Sequence, residues 1–161
     1  MIRPATSADS VRIAAIYNHY IRNAVATFEE QPLEAAEMAA RIAGVTAKLP
    51  WLVAEEGGVV AGYAYATPWK TRSAYRFTVE TTVYLADDAT GRGLGTRLYK
   101  ELLATLRRDY DLHVAVACIA LPHAASVALH EKLGFTKIGQ FKEVGYKFGG
   151  WVDVGYWQLS F

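Results

Sequence analysis

The chain has 161 residues, of which 52% are hydrophobic and 20% are charged, and its formal net charge is +1. This length and composition predict one domain over residues 1–161, and the near-neutral charge argues against nucleic acid or an anionic membrane surface as a partner. With no apolar run near the roughly 20 residues of a membrane span and no signal-peptide pattern at the start, we expect a soluble cytoplasmic protein.

The N-terminal part of the chain predicts two helices and a hairpin. Residues 2–5 predict a short strand, and the polar stretch TSAD at 6–9 can cap the helix that follows it. A proline on each side bounds a second helix over about 33–48. The sequence WLVAEEGGVVAGYAYAT, with two glycines at its centre, predicts a β-hairpin.

The C-terminal part predicts three more strand regions and two helices. A polar and aromatic connection at 69–76 precedes a strand at 77–86, and leucines at helical spacing follow a glycine-rich loop. The apolar run LHVAVACIAL predicts a central strand buried on both faces, and a helix that ends at Gly134 comes next. A bulged hairpin closes the chain. The sum is an α/β domain with a mixed, mostly antiparallel central sheet flanked by helices on both faces.

The single cysteine, Cys118, lies within that apolar run. It has no partner for an internal disulfide, and its surroundings predict a buried, inert thiol rather than a nucleophile. No His, Cys and Asp cluster has the spacing of metal ligands, so we predict no metal.

Three glycines in TGRGLGT, residues 90–96, separate the strand from the helix. Such a loop at a helix N-terminus attracts anions, although a tight turn that needs glycine for its geometry alone fits the pattern equally well. Thr96 stands where a dinucleotide fingerprint has its third glycine, and the Gly-Lys-Ser/Thr of a mononucleotide loop is missing. A different pyrophosphate ligand, coenzyme A, suits this loop.

Two segments resemble the signatures of the GNAT acetyltransferase superfamily. TVYLADDATGRGLGTRLYKEL is similar to its Gln/Arg-x-x-Gly-x-Gly/Ala motif, with Thr90 in place of the first residue. HAASVALHEKLGF is similar to its second signature, with His123 where Asn is usual and His130 where many members have tyrosine.

Longer blocks narrow the resemblance. They are YNHYI…ATFEEQP, YATPWKTRSAYRFTVETTVYL, IALPHAASVALHEKLGF and VGYKFGGWVDVGYWQLSF. These blocks resemble the phosphinothricin N-acetyltransferase subfamily, which is similar to the methionine sulfone and methionine sulfoximine acetyltransferases. The resemblance implies a GNAT fold, acetyl-CoA as co-substrate and N-acetylation of a small amino acid.

The resemblance also implies which residues bind acetyl-CoA. The strand at Val83–Leu85 would pair with the pantetheine amides, a Val83 or Leu85 N–H beside a bulge would stabilise the oxyanion, and the glycine loop would hold the pyrophosphate. His130 would either protonate the thiolate or pack against the ligand. The full set is Val83, Tyr84, Leu85, Gly91, Arg92, Gly93, Leu94, Gly95, Thr96, His123 and His130.

Glu80 is the candidate general base. Alternation in FTVETTVYL places Glu80, Thr82 and Tyr84 on one strand face, and burial of a carboxyl without a partner would raise its pKa toward that of a useful base. The residues alone favour a solvent-facing carboxylate or an ion pair with Arg72 or Arg76. The resemblance favours the base, because the family's corresponding block places its proposed base at this position.

The acceptor site is expected just before this strand. The resemblance places substrate contacts in the 69–76 segment, and the candidates are Phe28, Trp69, Lys70, Arg72, Tyr75, Arg76 and Glu80. A solvated basic loop is the alternative. The block KFGGWVDVGYWQLSF predicts a homodimer contact beside the acceptor site, or an ordinary aromatic core.

The sequence is compatible with three functions. The first is direct transfer of acetyl from acetyl-CoA to a small amino acid in a ternary complex, without an acyl-enzyme, because no Cys or Ser is set beside a base. The second keeps the fold and acetylates a peptide N-terminus or a polyamine, although a polyamine favours an acidic cleft and the 69–76 segment is basic. The third is an acetyl-CoA-binding sensor without turnover.

Overall fold

A seven-stranded sheet with four helices packed on it organises the chain. The computed structural model describes residues 1–161. Its strands are β1 (Ile2–Pro4), β2 (Trp51–Glu56), β3 (Val59–Pro68), β4 (Thr78–Leu85), β5 (Val114–Leu121), β6 (Thr136–Lys147) and β7 (Gly150–Ser160). Its helices are α1 (Ser10–Asn23), α2 (Ala35–Thr46), α3 (Leu94–Asp109) and α4 (Ala124–Lys132).

The spatial order of the strands is β1-β2-β3-β4-β5-β7-β6. Only the β4–β5 pair is parallel, and every other neighbouring pair is antiparallel. The predicted α/β class with a mixed, mostly antiparallel sheet is therefore confirmed.

Contacts from β4 show that helices cover both faces of the sheet. The Thr81 hydroxyl lies 2.6 Å from the Tyr99 hydroxyl of α3. The next ring along the strand, Tyr84, instead packs against Tyr17 and Tyr20 of α1, with ring centroids 5.3 and 4.9 Å apart. Alternation therefore places Glu80 and Tyr84 on the α1 face and Thr81 on the α3 face, as the sequence predicted.

Local caps set where the first two helices begin. The Thr6 N–H and hydroxyl both donate to the Asp9 carboxylate, at 2.8 and 3.1 Å, at the predicted cap of the first helical segment. Helix α2 covers 35–46 rather than the predicted 33–48. Glu34 caps it, with the Glu34 N–H donating to the Glu37 carboxylate at 3.1 Å, so this reciprocal cap rather than Pro32 determines the start.

The prediction that Cys118 is buried was wrong. Strand β5 is fully paired with β7, but Cys118 is exposed. An apolar strand is buried on both faces only where helices cover both, and α1 and α2 pack over β2, β3 and β4. The opposite face of β5 is covered by α4.

The predicted bulged hairpin at the end of the chain is confirmed. The β6–β7 register shifts between Lys137 and Gly139 and between Phe141 and Gly145. Its aromatic residues divide between core and surface. Trp157 is 2% exposed, whereas large apolar side chains at 55–66% exposure lie on the hairpin: Ile138, Phe141, Val144, Tyr146, Phe148 and Trp151. None of the four helices combines the length and the hydropathy needed to cross a membrane.

Candidate active site

Strands β4 and β5 form a fork. They pair from Thr78–Val114 to Glu80–Val116, and pairing ends there although both strands continue. A cleft of about 460 Å³ opens between the diverging strands and is closed on one side by α4 and the start of α3. An open gap between neighbouring strands leaves backbone N–H and C=O groups without ladder partners, so the cleft has a polar wall.

Two N–H groups of β4 point into this gap. The Ala86 N–H donates to the Ala61 carbonyl on the β3 side, at 2.8 Å. Because N–H directions alternate along a strand, those of Val83 and Leu85 point the other way, toward β5. The β3–β4 register runs without a shift from Gly62–Leu85 to Pro68–Val79, so the bulge implied by the resemblance is not present in this pairing.

The glycine loop presents a second set of free donors. Gly93 caps α3 in the left-handed conformation, with φ +75°, and the Arg97 N–H donates to its carbonyl at 3.1 Å. The N–H groups of residues 94–96 therefore precede the first helical hydrogen bond and remain free. Together with the helix dipole, they suit an anion such as the pyrophosphate of coenzyme A.

Most of the predicted acetyl-CoA contacts line the cleft. These are Val83, Tyr84, Leu85, Gly91, Gly93, Gly95, Thr96, His123 and His130. Arg92 does not line it, because its guanidinium pairs with Glu56 at 2.9 Å. The Leu94 side chain is 3% exposed and belongs to the core, so only its backbone is available to a ligand.

Glu80 is half-buried beside the point where the strands part. Its carboxylate forms no ion pair with Arg72 or Arg76 and no hydrogen bond within the chain. Burial raises the pKa of Glu80 above its usual value, and the positive charge of Lys70 offsets part of the rise. The structural-ion-pair alternative is not observed, and an unpaired carboxylate of raised pKa is available as a proton acceptor.

His130 lies on α4 with its ring between Tyr99 and Phe135, at centroid distances of 5.0 and 5.3 Å. Its Nδ1 is 2.7 Å from the Ser126 carbonyl oxygen, an acceptor, so Nδ1 carries the proton. Burial lowers the pKa of His130 below its usual value. The lowered pKa keeps the ring mainly neutral at pH 7. His123 accepts from the Ser126 N–H as the α4 cap.

The Cys118 thiol also lines the cleft. Although Cys118 is exposed to the cleft, the atoms packed around its thiol desolvate it in part, and this desolvation and the nearby Glu80 carboxylate raise the pKa of the thiol. A thiol with a raised pKa is a poor nucleophile at neutral pH. No group of three or more His, Cys, Asp or Glu side chains is placed to hold a metal ion.

The basic segment before β4 is exposed. Lys70, Arg72 and Arg76 make no ion pair, and the Arg76 guanidinium lies over the Phe77 ring at 4.3 Å. Tyr75 contacts Trp69 edge to face, with centroids 5.3 Å apart. Of these cations, Lys70 is the one whose charge acts on Glu80.

The Phe28 ring packs against strand β6, and a lysine of that strand that the sequence did not single out bonds to the connection carrying Phe28. The Phe28 ring lies where a side chain at Gly145 would be, and it is 40% exposed. The buried Lys147 of the same strand donates to the Ala24 and Thr27 carbonyls, at 2.7 and 2.8 Å. Lys147 thus ties β6 to the α1–α2 connection that carries Phe28. Nothing in the local sequence distinguishes this lysine from a surface one.

Comparison with known proteins agrees with this geometry. Residues 2–155 match the acetyltransferase (GNAT) domain family. The chain belongs to the GNAT family. A phosphinothricin N-acetyltransferase from Streptomyces viridochromogenes is 46% identical over 160 residues, which cover 99% of this chain and 87% of that protein. An L-methionine sulfoximine/L-methionine sulfone acetyltransferase from Pseudomonas paraeruginosa is 42% identical, with 99% and 93% coverage.

A solved structure shares the whole GNAT architecture. The phosphinothricin acetyltransferase from Sinorhizobium meliloti, crystallised with AcCoA, superposes with a TM-score of 0.96 at 40% identity. The match covers 99% of this chain and 87% of that one. The predicted GNAT fold and subfamily resemblance are confirmed.

Proposed function

We propose that this GNAT domain transfers acetyl from acetyl-CoA directly to the amine of a small amino acid. The observation that carries the proposal is the placement of Glu80: an unpaired, half-buried carboxylate at the last paired position of β4 and β5, one residue before the cleft lined by free N–H groups begins. The relatives named for phosphinothricin and for methionine sulfoximine and sulfone support an amino acid as acceptor.

Each residue of the fork has a separate task. Acetyl-CoA supplies an acetyl thioester, and the free N–H groups of residues 94–96 hold its pyrophosphate. Glu80 takes a proton from the acceptor ammonium, directly or through one water, which leaves the amine lone pair free to attack. The N–H of Val83 or Leu85 donates to the carbonyl oxygen as negative charge develops on it.

Direct transfer, without an acyl-enzyme, is supported by the environment of Cys118, which offers its thiol no activating base. An acyl-enzyme needs a nucleophile activated by a neighbouring base, and the Cys118 thiol has a raised pKa instead. His130 is neutral, and its Nδ1–H donates to the Ser126 carbonyl rather than to the Cys118 thiol. As the tetrahedral intermediate collapses, its C–S bond breaks and the CoA thiolate departs without an acid from His130. The second proton of the acceptor nitrogen passes to this thiolate through water.

The acceptor approaches from the α1 face. Lys70, Arg72 and Arg76 form no ion pair within the chain and can pair with the acceptor carboxylate, while Phe28 and Tyr75 form apolar walls. Because anionic groups are attracted and polyamines repelled, this segment favours an amino acid over a polyamine.

We further propose a cytoplasmic homodimer formed through the exposed apolar side chains of the β6–β7 hairpin. Soluble proteins rarely expose so many large apolar side chains on one element unless they mediate an interaction. The neighbouring Lys147 and Phe28 contacts place this surface beside the α1–α2 connection. The absence of disulfides is compatible with a reducing compartment.

The test is release of CoA from acetyl-CoA, followed with a thiol-trapping reagent. The acceptors are phosphinothricin, methionine sulfone, methionine sulfoximine, spermidine and a short peptide. Release with one of the first three supports the proposal. Release only with the peptide or spermidine keeps the chemistry and overturns the acceptor class, whereas acetyl-CoA binding without release for any amine makes the protein a sensor.

A further inference from the structure

A second cavity, of about 330 Å³, lies on the Glu80 face of the sheet. It lies between α1, α2 and strands β2 and β3, and shares no lining residue with the acetyl-CoA cleft. The sheet side is aromatic, with Trp51, Tyr63 and Tyr65, and the helix side has Met38 and Val45 of α2 and Tyr17 of α1. Its size is at the lower end of small-molecule pockets, which span about 300–1,000 Å³.

This cavity begins one strand away from the proposed base. Thr67 lines the cavity and is the register partner of Glu80 on the neighbouring strand. Directly opposed side chains in an antiparallel pair lie on the same face, about 4.5–5.5 Å apart. An amino acid whose amine contacts Glu80 can therefore extend its side chain over β3 into the cavity.

The chemistry of the cavity suits an uncharged side chain. Trp51 stacks on Tyr65 with ring centroids 4.2 Å apart and planes 12° apart, which gives a flat, polarisable wall. The one cation on the lining, Arg41, is bound by both Glu29 carboxylate oxygens at 2.8 and 2.6 Å. Its charge is already compensated, so the cavity offers no free cation to an anionic tail.

Gly44 leaves the cavity open on the helix side. It lies within α2, is exposed, and lines the cavity, and a Cβ there would meet no atom within 4 Å. Glycine destabilises a helix interior relative to alanine. Neither a positive φ nor a close neighbour requires glycine at this position. The lack of a side chain at Gly44 leaves space on the helix side of the cavity.

We propose that this cavity receives the side chain of the acceptor amino acid and selects uncharged sulfur-containing or aromatic side chains over anionic ones. The inference rests on the proposed function, and it ranks methionine sulfone above phosphinothricin, whose phosphinate is anionic. Lys70 and Arg72 remain available for the acceptor carboxylate.

The test compares Gly44→Leu with Ala43→Leu. Both substitutions place a leucine on α2, but residue 43 is exposed and does not line the cavity. Binding of methionine sulfone, alanine and phosphinothricin to protein saturated with CoA is measured by titration calorimetry, so the readout does not depend on turnover. Thermal unfolding of each variant checks that it is folded, and Gly44→Ala serves as the milder substitution.

We expect the wild type to bind methionine sulfone at least tenfold more tightly than phosphinothricin. Gly44→Leu should raise the Kd for methionine sulfone at least tenfold and leave that for alanine unchanged, while Ala43→Leu changes neither. An unchanged Kd for methionine sulfone in Gly44→Leu overturns the inference, as does tighter binding of phosphinothricin or no amino-acid binding at all.

The two proposals fail in distinguishable ways. Binding of methionine sulfone that is lost in Gly44→Leu, without release of CoA from acetyl-CoA by the wild type, supports the cavity and overturns the proposed reaction. Release of CoA by the wild type with the same KM in Gly44→Leu supports the reaction and overturns the cavity.

Discussion

Glu80 on β4 and Val116 on β5 form the last paired position before the two strands separate. The backbone of Glu80 is therefore paired on both sides, with Thr67 of β3 opposite it, and does not lie in a loop. One residue further along, the pairing with β5 has ended and the cleft begins. A rigid strand thus holds the proton acceptor beside the site where an acetyl group would react.

Replacing Lys70 should change the pH dependence of the reaction. Lys70 stabilises ionised Glu80, so Lys70→Met should raise the pKa of Glu80 and move the acidic limb of kcat/KM to higher pH.

Arg72→Ala should instead raise the acceptor KM about tenfold, the usual effect of losing one charge-assisted contact, and should leave the acidic limb of kcat/KM unmoved. Lys100→Ala, an exposed lysine on α3, is the control for both. A limb that stays in place in Lys70→Met would contradict the electrostatic coupling between Lys70 and Glu80.

A side chain at Gly93 should prevent acetyl-CoA binding. Gly93→Val places a β-branched residue at φ +75° on the cleft wall, which distorts the loop and obstructs the free N–H groups. Gly58→Val, at φ +79° in the β2–β3 turn, imposes similar backbone strain far from the cleft. We expect calorimetry to show no CoA binding in Gly93→Val and normal binding in Gly58→Val. Normal affinity in Gly93→Val would mean that the loop does not hold the pyrophosphate.

His130 should prove dispensable for proton transfer. Because the ring is neutral and its Nδ1–H is bound to the Ser126 carbonyl, His130→Gln should lower kcat less than tenfold, whereas loss of a general acid typically costs about 100-fold or more. The variant should have a lower Tm, since buried ring packing is lost. His113→Gln, at an exposed position, is the control. A hundredfold loss of kcat with normal CoA affinity would restore His130 as an acid.

The β6–β7 surface should hold two copies of the chain together. Trp151 is 66% exposed, and Trp151→Lys places a charge on the apolar surface. Sedimentation velocity should give a dimer for the wild type and a monomer for this variant. Val59→Lys, at a 53% exposed apolar position in the β2–β3 hairpin, should remain dimeric. A monomeric wild type would contradict the proposed assembly.

The sequence predicted local features well because local patterns encode them. Alternation along β4 placed Glu80 and Thr81 on opposite faces, and the glycines at 91–95 marked the strand-to-helix turn. Each of these features depends on a few adjacent residues, whose chemistry is visible in the sequence.

Features that depend on distant contacts were missed. The fork forms because β5 stays paired with β7 along its whole length while its pairing with β4 ends at Val116. The β5–β7 pairing joins residues about 40 positions apart in the sequence. Cys118 is exposed because helices distant in sequence stop short of it, and Lys147 is buried because it reaches the end of α1. A hydrophobicity pattern carries no record of such packing.

The most direct test of the account compares Glu80→Gln with wild type at saturating acetyl-CoA across a range of pH. At neutral pH we expect the variant to lose about 100-fold or more in rate, as loss of a general base does. Its rate should then recover as the acceptor amine deprotonates, with CoA affinity unchanged. Glu101→Gln, an exposed carboxyl on α3, is the control.

The stability of Glu80→Gln separates chemistry from folding. A pKa raised in the folded state means that the ionised carboxylate destabilises the fold as pH rises through the window between the unfolded and folded values. The variant should therefore be no less stable than wild type above that window. A slow, folded variant whose rate rises with pH is the result that the account predicts, and equal rates for variant and wild type at every pH would contradict it.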